Sequence, residues 1–456
     1  MLDREGIQLR DILCRAVGPD RADRAFDAMS SAPSVSVRVN PFKVSDPESF
    51  AAAHFGCGSS PVLWSRCGFL LDQRPQFTLD PLFHCGCYYV QDSSAMAVGH
   101  VARESMERIE ASGRPVMVLD LCAAPGGKTT DLAASLRERY GDGFVLVANE
   151  VMKNRASVLA DNVALWGDPN VIVTSVDPKA FASLPGFFDM IVADVPCSGE
   201  GMFRKEEAAV EDWSEAAVDL CASRQRRIVA DVWPSLRQGG ILVYSTCTFE
   251  KAENDDNVEW IASELGGMVL GSDLPSMEGV IPTATGSLLV PGFVNGEGQF
   301  AAALEKTAAQ EERSFPRKSR QKGPARTSSG ALEKTKGGLL IHVPAAISEE
   351  AEILEVLHPL MCGVAQGTVK GRDLVPSADL ALSISLGEGR FPMVELDRAT
   401  SLKFLHRDTI VLDGAPRGFL VVCHEGHPLG FVKNLGNRCN NLHPQERRIR
   451  MDINEQ

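Results

Sequence analysis

Two cysteines stand just past apolar runs, on turns marked by Pro, Ser or Thr. The first is Cys197 in DMIVADVPCSGEGM (189–202), and the second is Cys247 in ILVYSTCTFE (241–250). A thiolate is an effective nucleophile near neutral pH. A single cysteine in such a turn is more often structural. Two of them in similar turns, beside a ligand-binding loop and an acidic residue, predict thiols that converge on one cleft.

The segment DLCAAPGGKTT (120–130) is typical of a ligand-binding loop between a strand and a helix. Its small side chains let a ligand approach the backbone, and the N-terminus of the following helix favours a negative group. A P-loop is excluded, because Cys122 stands where that motif needs its first glycine, and a dinucleotide fold is excluded because no G-x-G-x-x-G is present. The candidate ligand-binding residues of the loop are Cys122, Ala123, Ala124, Pro125, Gly126, Gly127 and Lys128.

Acidic residues follow the next predicted strands. Glu150 ends a strand at the position where a doubly wound nucleotide-binding fold accepts hydrogen bonds from ribose hydroxyls. Asp177 ends the strand after it, where an adenine amino group would be held, but it is also typical of an ordinary turn before Pro178. Asp194 ends a third strand, three residues before Cys197. An acid at a strand end alone is usually solvated, whereas together with the loop these acids favour a nucleotide-like ligand.

The composition excludes several classes of protein. The chain has 456 residues, 44% of them hydrophobic, and a formal net charge of −14. Its twelve cysteines include no C-x-x-C pair, which argues against a disulfide framework and a structural zinc site, so no metal is expected. The first residues, MLDREGIQLRDILC, are charged where a signal peptide needs an apolar core, and no apolar run approaches the roughly 20 residues that cross a bilayer. We therefore expect a soluble protein of a reducing cytoplasm.

Strands and helices alternate through the middle of the chain. Apolar strands are predicted at 116–121 and 144–150, and helices at 127–140 and 153–167, with a further helix at 214–236. Strands that are apolar on both faces predict a parallel sheet covered by helices on both sides, with ligands at its carboxyl edge. Residues 311–336 lose apolar periodicity and are rich in Lys, Arg, Ser, Gly and Pro, which predicts a linker and leaves an RNA-contacting arm as an alternative.

These motifs resemble those of the Nol1/Nop2/Sun family of RNA cytosine-C5 methyltransferases. The family's patterns D-x-x-A-A-P-G-x-K-T, D-x-P-C-S-G-x-G and Y-S-T-C-T occur here in the same order. The segments SVRVNPFK (36–43), GCYYVQDSSAM (86–96) and GEGQF (296–300) resemble its remaining elements. DVPCSGEGMFRKE and the C-terminal PLGFVKNLGNRCNNLHPQERRIR narrow the resemblance to the bacterial F-type branch, which acts on small-subunit ribosomal RNA.

The resemblance implies an α/β architecture centred on a Rossmann-like, doubly wound class I methyltransferase domain at 111–310. It implies an N-terminal RNA-binding α/β extension at 1–110, and small α+β domains, ferredoxin-like and PUA-like, that bind RNA at 337–456 after the basic linker. The implied cofactor is S-adenosyl-L-methionine. The implied partner is RNA, in the first place 16S rRNA or the small ribosomal subunit, and the protein is expected to be a monomer that contacts no membrane.

The resemblance also implies roles for individual residues. Cys247 would be the nucleophile that adds to carbon 6 of cytosine, and Cys197 would assist its release. Asp194 would hydrogen-bond the edge of the cytosine, and Lys128 would line the same cleft. The loop 122–128 would hold the cofactor together with Glu150, Asp177 and Asp194.

Three departures from the family pattern concern the positioning of the substrate. The paired serines of the N-terminal element appear as Ser94-Ala95, the Arg and Pro-His residues that often precede the closing strand are replaced within SLLVPGFVNGEGQF (287–300), and Gln299 stands where an aromatic residue is expected.

Two alternatives stay open: the same chemistry on transfer RNA, and a non-catalytic RNA-binding assembly factor. The C-terminal candidates for RNA contact, which fit a solvated surface equally well, are Arg438, Arg447, Arg448 and Arg450.

Overall fold

The computed structural model describes residues 9–56, 58–110, 113–310, 325–326, 330–371, 373–387 and 389–453. Its first part contains an antiparallel sheet of four strands in the order β2-β3-β1-β4, namely β1 (Val35–Val39), β2 (Ser60–Pro61), β3 (Gly68–Leu71) and β4 (Tyr88–Val90). The helices around it are α1 (Leu9–Val17), α2 (Pro19–Met29), α3 (Pro47–Phe55), α4 (Pro81–His84) and α5 (Met96–Ser105). Helices α1 and α2 are separate because Gly18, with φ of 83°, and Pro19 interrupt the helical stretch.

A mixed sheet of ten strands forms the centre of the molecule. Nine of its strands are β5 (Val116–Asp120), β6 (Phe144–Asn149), β7 (Val171–Thr174), β8 (Phe188–Asp194), β9 (Leu236–Thr246), β10 (Gly267–Gly271), β11 (Val280–Pro282), β12 (Ser287–Leu289) and β13 (Gln299–Lys306). The helices of this part are α6 (Gly127–Tyr140), α7 (Lys153–Trp166), α8 (Glu207–Asp212), α9 (Glu215–Val232) and α10 (Asp255–Leu265). Helix α9 ends earlier than expected and continues as a short 3₁₀ turn (Trp233–Ser235) that contains Pro234.

The order of strands confirms the doubly wound architecture predicted from the sequence. Strands β5 to β9 run parallel in the spatial order β7-β6-β5-β8-β9, and β13 joins β9 in the antiparallel direction. Alternate residues of β5 face opposite cores: Met117 and Leu119 pack into one, and Val116 and Val118 into the other. The chain reverses its direction of winding between β5 and β8, and doubly wound sheets bind their ligands at such a point.

The segment that follows corrects two expectations. Its strands are β14 (Ala325–Arg326), β15 (Leu332–Lys336), β16 (Leu339–Val343), β17 (Met361–Cys362), β18 (Val364–Lys370) and β19 (Asp373–Pro376), with helices α11 (Ser348–Ile353) and α12 (Ala378–Leu382). Part of the predicted linker, 311–324 and 327–329, lies outside the described residues, but the linker does not extend to 336, because Leu332 is buried in a strand. Strand β15, which contains Leu332, is followed by a tight turn at Gly337 and Gly338, both with positive φ, and then by its partner strand β16.

This segment also differs from the β-α-β-β-α-β order of a ferredoxin-like domain. Strands β14, β15, β16, β18 and β19 form one antiparallel sheet in which each pairs with its neighbour in the chain, while β17 pairs with β7 at the edge of the central sheet. The turn between β15 and β16 leaves no room for a crossover helix, so these strands become antiparallel neighbours. The longer connection from β16 to β18 contains α11 and β17, and the two strands it joins also pair in the antiparallel direction.

The last part of the chain packs against the first. Its strands are β20 (Met393–Glu395), β21 (Gly418–His424), β22 (His427–Asn434) and β23 (Cys439–Asn441), with helix α13 (Arg398–His406). Val37 and Phe69 of the N-terminal sheet share one apolar core with Phe404 and Leu420. No helix in the described ranges is both long and apolar enough to span a bilayer.

Arg447 shows that a basic C-terminal residue can serve this packing rather than RNA. Its guanidinium contacts Asp161 of α7 at 2.9 Å and Asp379 of α12 at 2.7 Å, and its side chain is only 14% exposed. The prediction that Arg447 is free to contact RNA is therefore wrong, because both carboxylates already engage it. The other three C-terminal candidates, Arg438, Arg448 and Arg450, are exposed.

Candidate active site

The cysteines predicted to converge on one cleft meet at the carboxyl edge of the central sheet. Cys197 follows β8 and Cys247 follows β9, and their sulfurs lie 3.1 Å apart. The backbone N–H of Cys247 also donates to Cys197 Sγ at 3.3 Å. The hydrogen bond with Cys247, followed by burial, raises the pKa of Cys197 well above its usual range. Either sulfur could donate in this contact, and the raised pKa favours the protonated form of Cys197.

Glycines allow the three backbones around these sulfurs to touch. The N–H of Gly201 donates to the carbonyl of Cys247 at 2.8 Å. A Cβ at Gly201 would lie 2.7 Å from that carbonyl oxygen and 2.7 Å from the carbonyl oxygen of Gly298, which precedes β13. Gly298 is crowded in turn by the ring of Phe249, 2.5 Å from where its Cβ would be. Since real Cβ atoms do not approach backbone this closely, only glycine permits the contact.

Asp194 connects the cysteine loops to the ligand-binding loop. Its Oδ2 accepts from Lys128 Nζ at 2.8 Å, and its Oδ1 accepts from Ser245 Oγ at 2.7 Å. Burial alone lowers the pKa of Lys128, but the Asp194 carboxylate outweighs it and the net shift is upward. Gln299, which replaces the expected aromatic residue, is buried and donates to Asp194 Oδ1 at 3.3 Å and to the carbonyl of Thr246 at 2.9 Å. This amide therefore ties the acid to the end of β9.

Residues of α7 hydrogen-bond two carbonyls of the loop 122–128. Gly126 has a φ of 115°, which only glycine adopts readily, and it precedes the first residue of α6. Arg155 donates to the carbonyl of Ala124 at 2.9 Å, and Asn162 donates to that of Pro125 at 2.7 Å. With its carbonyls bound from the α7 side, the loop leaves the N-terminus of α6 directed at the sheet edge.

Asn149 is a supporting residue that sequence reasoning missed. Its amide Nδ2 donates to the carbonyls of Leu121 (3.2 Å) and Val176 (3.0 Å), and its Oδ1 accepts from Thr174 Oγ1 at 2.8 Å. The backbone carbonyl of Asn149 also accepts from the N–H of Ala123 at 2.8 Å. Asn149 thus fastens the ends of β5, β6 and β7 to one another. A polar residue inside an otherwise apolar strand was the available signal.

The acids at this edge have different surroundings. Glu150 is buried; its carboxylate accepts from the N–H of Met152 at 3.0 Å and lies 3.3 Å from Arg155. Asp177 is exposed, and it caps the 3₁₀ turn Pro178–Ser183 by accepting from the N–H of Lys179 at 3.0 Å. Its contact with an adenine therefore stays a prediction beside a capping role that the structure shows.

The donor set at this edge fits S-adenosylmethionine. The carboxylates of Glu150 and Asp194 suit its ribose hydroxyls and its ammonium group, the N-terminus of α6 suits its carboxylate, and the small residues of the loop admit a ligand. Val151 and Met152, which follow Glu150, are more than half exposed and offer an apolar surface beside it. Burial raises the pKa of Cys122 far above its usual range, which disfavours the thiolate form of this loop thiol. Within the described ranges, no cluster of His, Cys, Asp and Glu could hold a metal ion.

A buried arginine couples the N-terminal sheet to this loop. Arg38 of β1 is 1% exposed, and its Nε donates to Gln91 Oε1 at 2.9 Å. Its Nη2 donates to the carbonyl of Gly127 at 3.1 Å and to the hydroxyl of Thr130, both in the first turns of α6. Its guanidinium also lies over the ring of Trp166, 4.6 Å from the centroid. The first turn of α6 therefore depends on the N-terminal sheet for its position.

The N-terminal element also holds the segment before β13. Ser93 Oγ donates to the carbonyl of Asn295 at 2.5 Å, and Lys205 joins Asp92 (3.0 Å) to Glu297 (3.4 Å). Ser94, the serine retained beside the departing Ala95, is fully buried, and its hydroxyl has no hydrogen-bond partner among the described residues. It serves packing here.

Three family models match the chain. The one described as 16S rRNA methyltransferase RsmB/F matches residues 112–305, the one described as the methyltransferase RsmF PUA domain matches residues 391–449, and the one described as the N-terminal domain of 16S rRNA methyltransferase RsmF matches residues 14–93. The PUA-like domain expected at the C-terminal end is thereby confirmed.

Individual proteins agree with these matches. Ribosomal RNA small subunit methyltransferase F of Klebsiella pneumoniae (strain 342) is 30% identical over 447 residues, which cover 90% of this chain and 89% of that relative. A methyltransferase homologue from Pyrococcus horikoshii, 28% identical, superposes with a TM-score of 0.53 over 65% of this chain and 93% of its own. NSun6 from the same organism, solved with SFG and 19% identical, shares the fold with a TM-score of 0.55 over 66% of this chain and 98% of its own.

Proposed function

The chain belongs to the ribosomal RNA small subunit methyltransferase F family, which uses S-adenosylmethionine to methylate rRNA, and on that premise we propose that it forms 5-methylcytosine in 16S rRNA. The observation that carries this proposal is the pair of sulfurs, Cys197 and Cys247, 3.1 Å apart at the ligand-binding edge of the sheet. Carbon 5 of cytosine is a weak nucleophile unless a group first adds at carbon 6, and covalent catalysis of this kind needs one thiol to bond and benefits from a second to end the bond.

Cys247 is the proposed nucleophile. Its thiolate adds to carbon 6, the C5–C6 double bond breaks, and the electron pair becomes available at carbon 5. S-adenosylmethionine supplies the methyl group. A base then removes the proton from carbon 5, the pair re-forms the C5–C6 double bond, and the C6–S bond breaks, so that Cys247 departs as a thiolate. Asp194, held between Lys128 and Ser245, is the proposed hydrogen-bonding partner of the cytosine edge while charge develops on the ring.

Cys197 assists the departure. A protonated Cys197, which its raised pKa favours, can donate to the sulfur of Cys247 3.1 Å away and stabilise it as negative charge returns to it. Hydrogen bonds to an ionised acceptor are about twice as strong as neutral ones. The residues proposed to hold the cofactor are those of the loop 122–128 with Glu150, Asp177 and Asp194.

The substrate must present an unstacked cytosine. Extruding a base costs roughly a few kcal/mol, less where it is unpaired. We propose that the N-terminal part, 1–110, and the C-terminal part, 337–456, grip the RNA around it, with the exposed Arg438, Arg448 and Arg450 as phosphate contacts. Action as a monomer in the cytoplasm stays part of the proposal.

Replacing Cys197 with alanine tests the proposed function. We expect a covalent protein–RNA complex to accumulate, because the bond at Cys247 still forms but lacks the donor that ends it. Denaturing gel electrophoresis with 16S rRNA fragments measures the complex. Cys14→Ala, which changes a partly buried thiol on α1 instead, is the matched control and should accumulate none.

The same gel separates the alternatives. The complex must disappear in Cys197→Ala/Cys247→Ala. Absence of a complex with every cytosine-containing RNA would favour a non-catalytic assembly factor. A complex with transfer RNA but not with 16S rRNA would leave the chemistry standing and contradict the substrate, and bisulfite sequencing of both RNAs with and without the gene would locate the modified base.

Gly201→Ala is expected to lower the single-turnover rate of methyl transfer about 10²-fold, because an added Cβ 2.7 Å from the carbonyls of Cys247 and Gly298 must push the nucleophile's loop away. Gly387→Ala is the control, since nothing lies within 4 Å of its Cβ position and its φ is not positive. A Gly201→Ala enzyme with more than half of the parental rate would show that the loop tolerates the shift.

A further inference from the structure

Two buried carboxyl groups lie directly behind the cysteines. Glu200 follows Cys197 on the first loop and Glu253 follows Cys247 on the second, and both are fully buried. The hydroxyl of Ser198 lies between them: its Oγ is 2.9 and 3.0 Å from the two carboxyl oxygens of Glu200 and is hydrogen-bonded to Glu253 Oε1. The same Oγ is 3.1 Å from the hydroxyl of Thr248. The residues that immediately follow the two cysteines are thus joined through this group.

The contacts around Ser198 can all be hydrogen bonds if the two carboxyl groups share a proton. A serine hydroxyl has one hydrogen to donate and two lone pairs to accept with. Ser198 can therefore donate to only one carboxyl group at a time. The other carboxyl group, at hydrogen-bond distance, must itself carry a hydrogen and donate it to Ser198 Oγ. If both were ionised, one of the two contacts would be a repulsion between lone pairs.

The remaining partners of the pair are neutral. Gln225 Nε2 donates to Glu253 Oε2 at 2.6 Å, Trp213 Nε1 donates to Glu200 Oε1 at 2.6 Å, and the N–H of Ser198 donates to Glu253 at 3.2 Å. In the part of the chain that the structure describes, neither carboxyl group forms an ion pair with Lys or Arg. Two buried carboxylates without a cation cannot both ionise cheaply. Burial accordingly raises the pKa of Glu253 to about 7 and raises that of Glu200.

We propose that Glu200 and Glu253 are positioning residues, a pair that shares one proton through Ser198, holds Cys197 against Cys247 and keeps the Cys197 thiol protonated for the release step. This rests on the proposed function, since release of Cys247 is a step of that reaction. The single negative charge of the pair acts on Cys197: Glu253 is among the groups that raise its pKa. The pair thus favours a donor at Cys197 and leaves Cys247 as the nucleophile.

Other groups that face the pair are few. Tyr244 of β9 donates its hydroxyl to the carbonyl of Glu253 at 2.6 Å. On α9, the thiol of Cys221 faces the pair, and Arg226 is directed to Asn257 at 2.7 Å. Tyr244 stays neutral, because burial raises its pKa far above its usual range. Near neutral pH, therefore, the shared proton is the one whose loss changes the charge behind Cys197.

The test separates formation of the covalent complex from its decay. In a single turnover with 16S rRNA, Glu253→Gln is expected to slow decay of the covalent complex about tenfold, while the rate of its formation stays within about twofold of the parental rate. The tenfold effect on decay is smaller than the roughly 10²- to 10⁴-fold that general acid catalysis contributes. Ser198→Ala, a smaller change, should also slow decay of the covalent complex, and it replaces Glu253→Gln in the test if that variant folds poorly. Glu250→Gln is the matched control, because Glu250 lies on the same loop but contacts Arg15 at 3.1 Å, and it should change neither rate.

A second measurement needs no RNA. The pH dependence of alkylation at Cys197, read by peptide mass spectrometry in a Cys247→Ser background, should move to lower pH when Glu253→Gln is added, because the carboxylate of Glu253, one of the groups that raise the pKa of Cys197, is removed. Unchanged titration of Cys197, or formation and decay that slow in equal proportion, overturns the positioning role. Absence of any covalent complex in all variants, with the titration still shifted, would instead contradict the proposed function and leave the pair standing.

Discussion

Cys247→Ala is expected to lower kcat/KM for methylation by roughly 10⁴-fold or more, the scale on which loss of a nucleophile acts in enzymes that form covalent intermediates. Among the thiols near Cys247, Cys197 lies 3.1 Å away, and its pKa is raised well above its usual range, which disfavours its thiolate form. Burial likewise raises the pKa of Cys122 in the loop 122–128 far above its usual range. Transfer of a radiolabelled methyl group from S-adenosylmethionine to 16S rRNA measures the loss.

The variant must keep its fold and its cofactor for this result to count. Cys247 is only partly buried, so truncation to alanine should leave the thermal midpoint within a few degrees and the binding of S-adenosylmethionine unchanged. Cys14→Ala, on α1, should retain parental activity. A Cys247→Ala enzyme that still methylated at one per cent of the parental rate or more would mean that carbon 6 is not attacked by this residue.

Arg38→Met is expected to reduce the free energy of unfolding by about 3–5 kcal/mol, the range seen when one partner of a buried charged network is removed. Methionine keeps most of the volume of arginine, so the loss is polar. It leaves Gln91 Oε1 without the bond from Arg38 Nε, and the carbonyl of Gly127 and the buried Asp131, 3.8 Å away, without their cation. Denaturant unfolding measures the change.

Arg66→Met is the control for that experiment. Arg66 contacts Glu138 at 2.6 Å, but both side chains are more than half exposed, and exposed pairs contribute at most about 1 kcal/mol. A loss below 1 kcal/mol in Arg38→Met would contradict the view that the N-terminal sheet is fastened to α6 through this residue. Affinity for S-adenosylmethionine should fall with stability, because Arg38 holds the first turn of α6 behind the loop.

Local patterns in the sequence determined the elements of the central domain. The helix predicted at 127–140 has the same bounds in the structure, and β5 ends at Asp120, within one residue of the expectation. These elements were predictable because apolar periodicity, a left-handed glycine before the helix and another after it are all encoded within a few residues. The positions of Cys197 and Cys247 at strand ends followed from the same patterns.

Contacts between residues that are far apart in the chain could not be predicted from local sequence patterns. Only the tertiary structure gives the 3.1 Å distance between the two sulfurs and the proximity of the two carboxyl groups behind them. It also shows that Arg447 forms ion pairs with Asp161 and Asp379. It also placed Leu332 in a strand where the composition indicated a linker. The physical reason is that each of these rests on hydrogen bonds and burial between residues far apart in the chain, so their energies exist only once the sheet has brought those residues together.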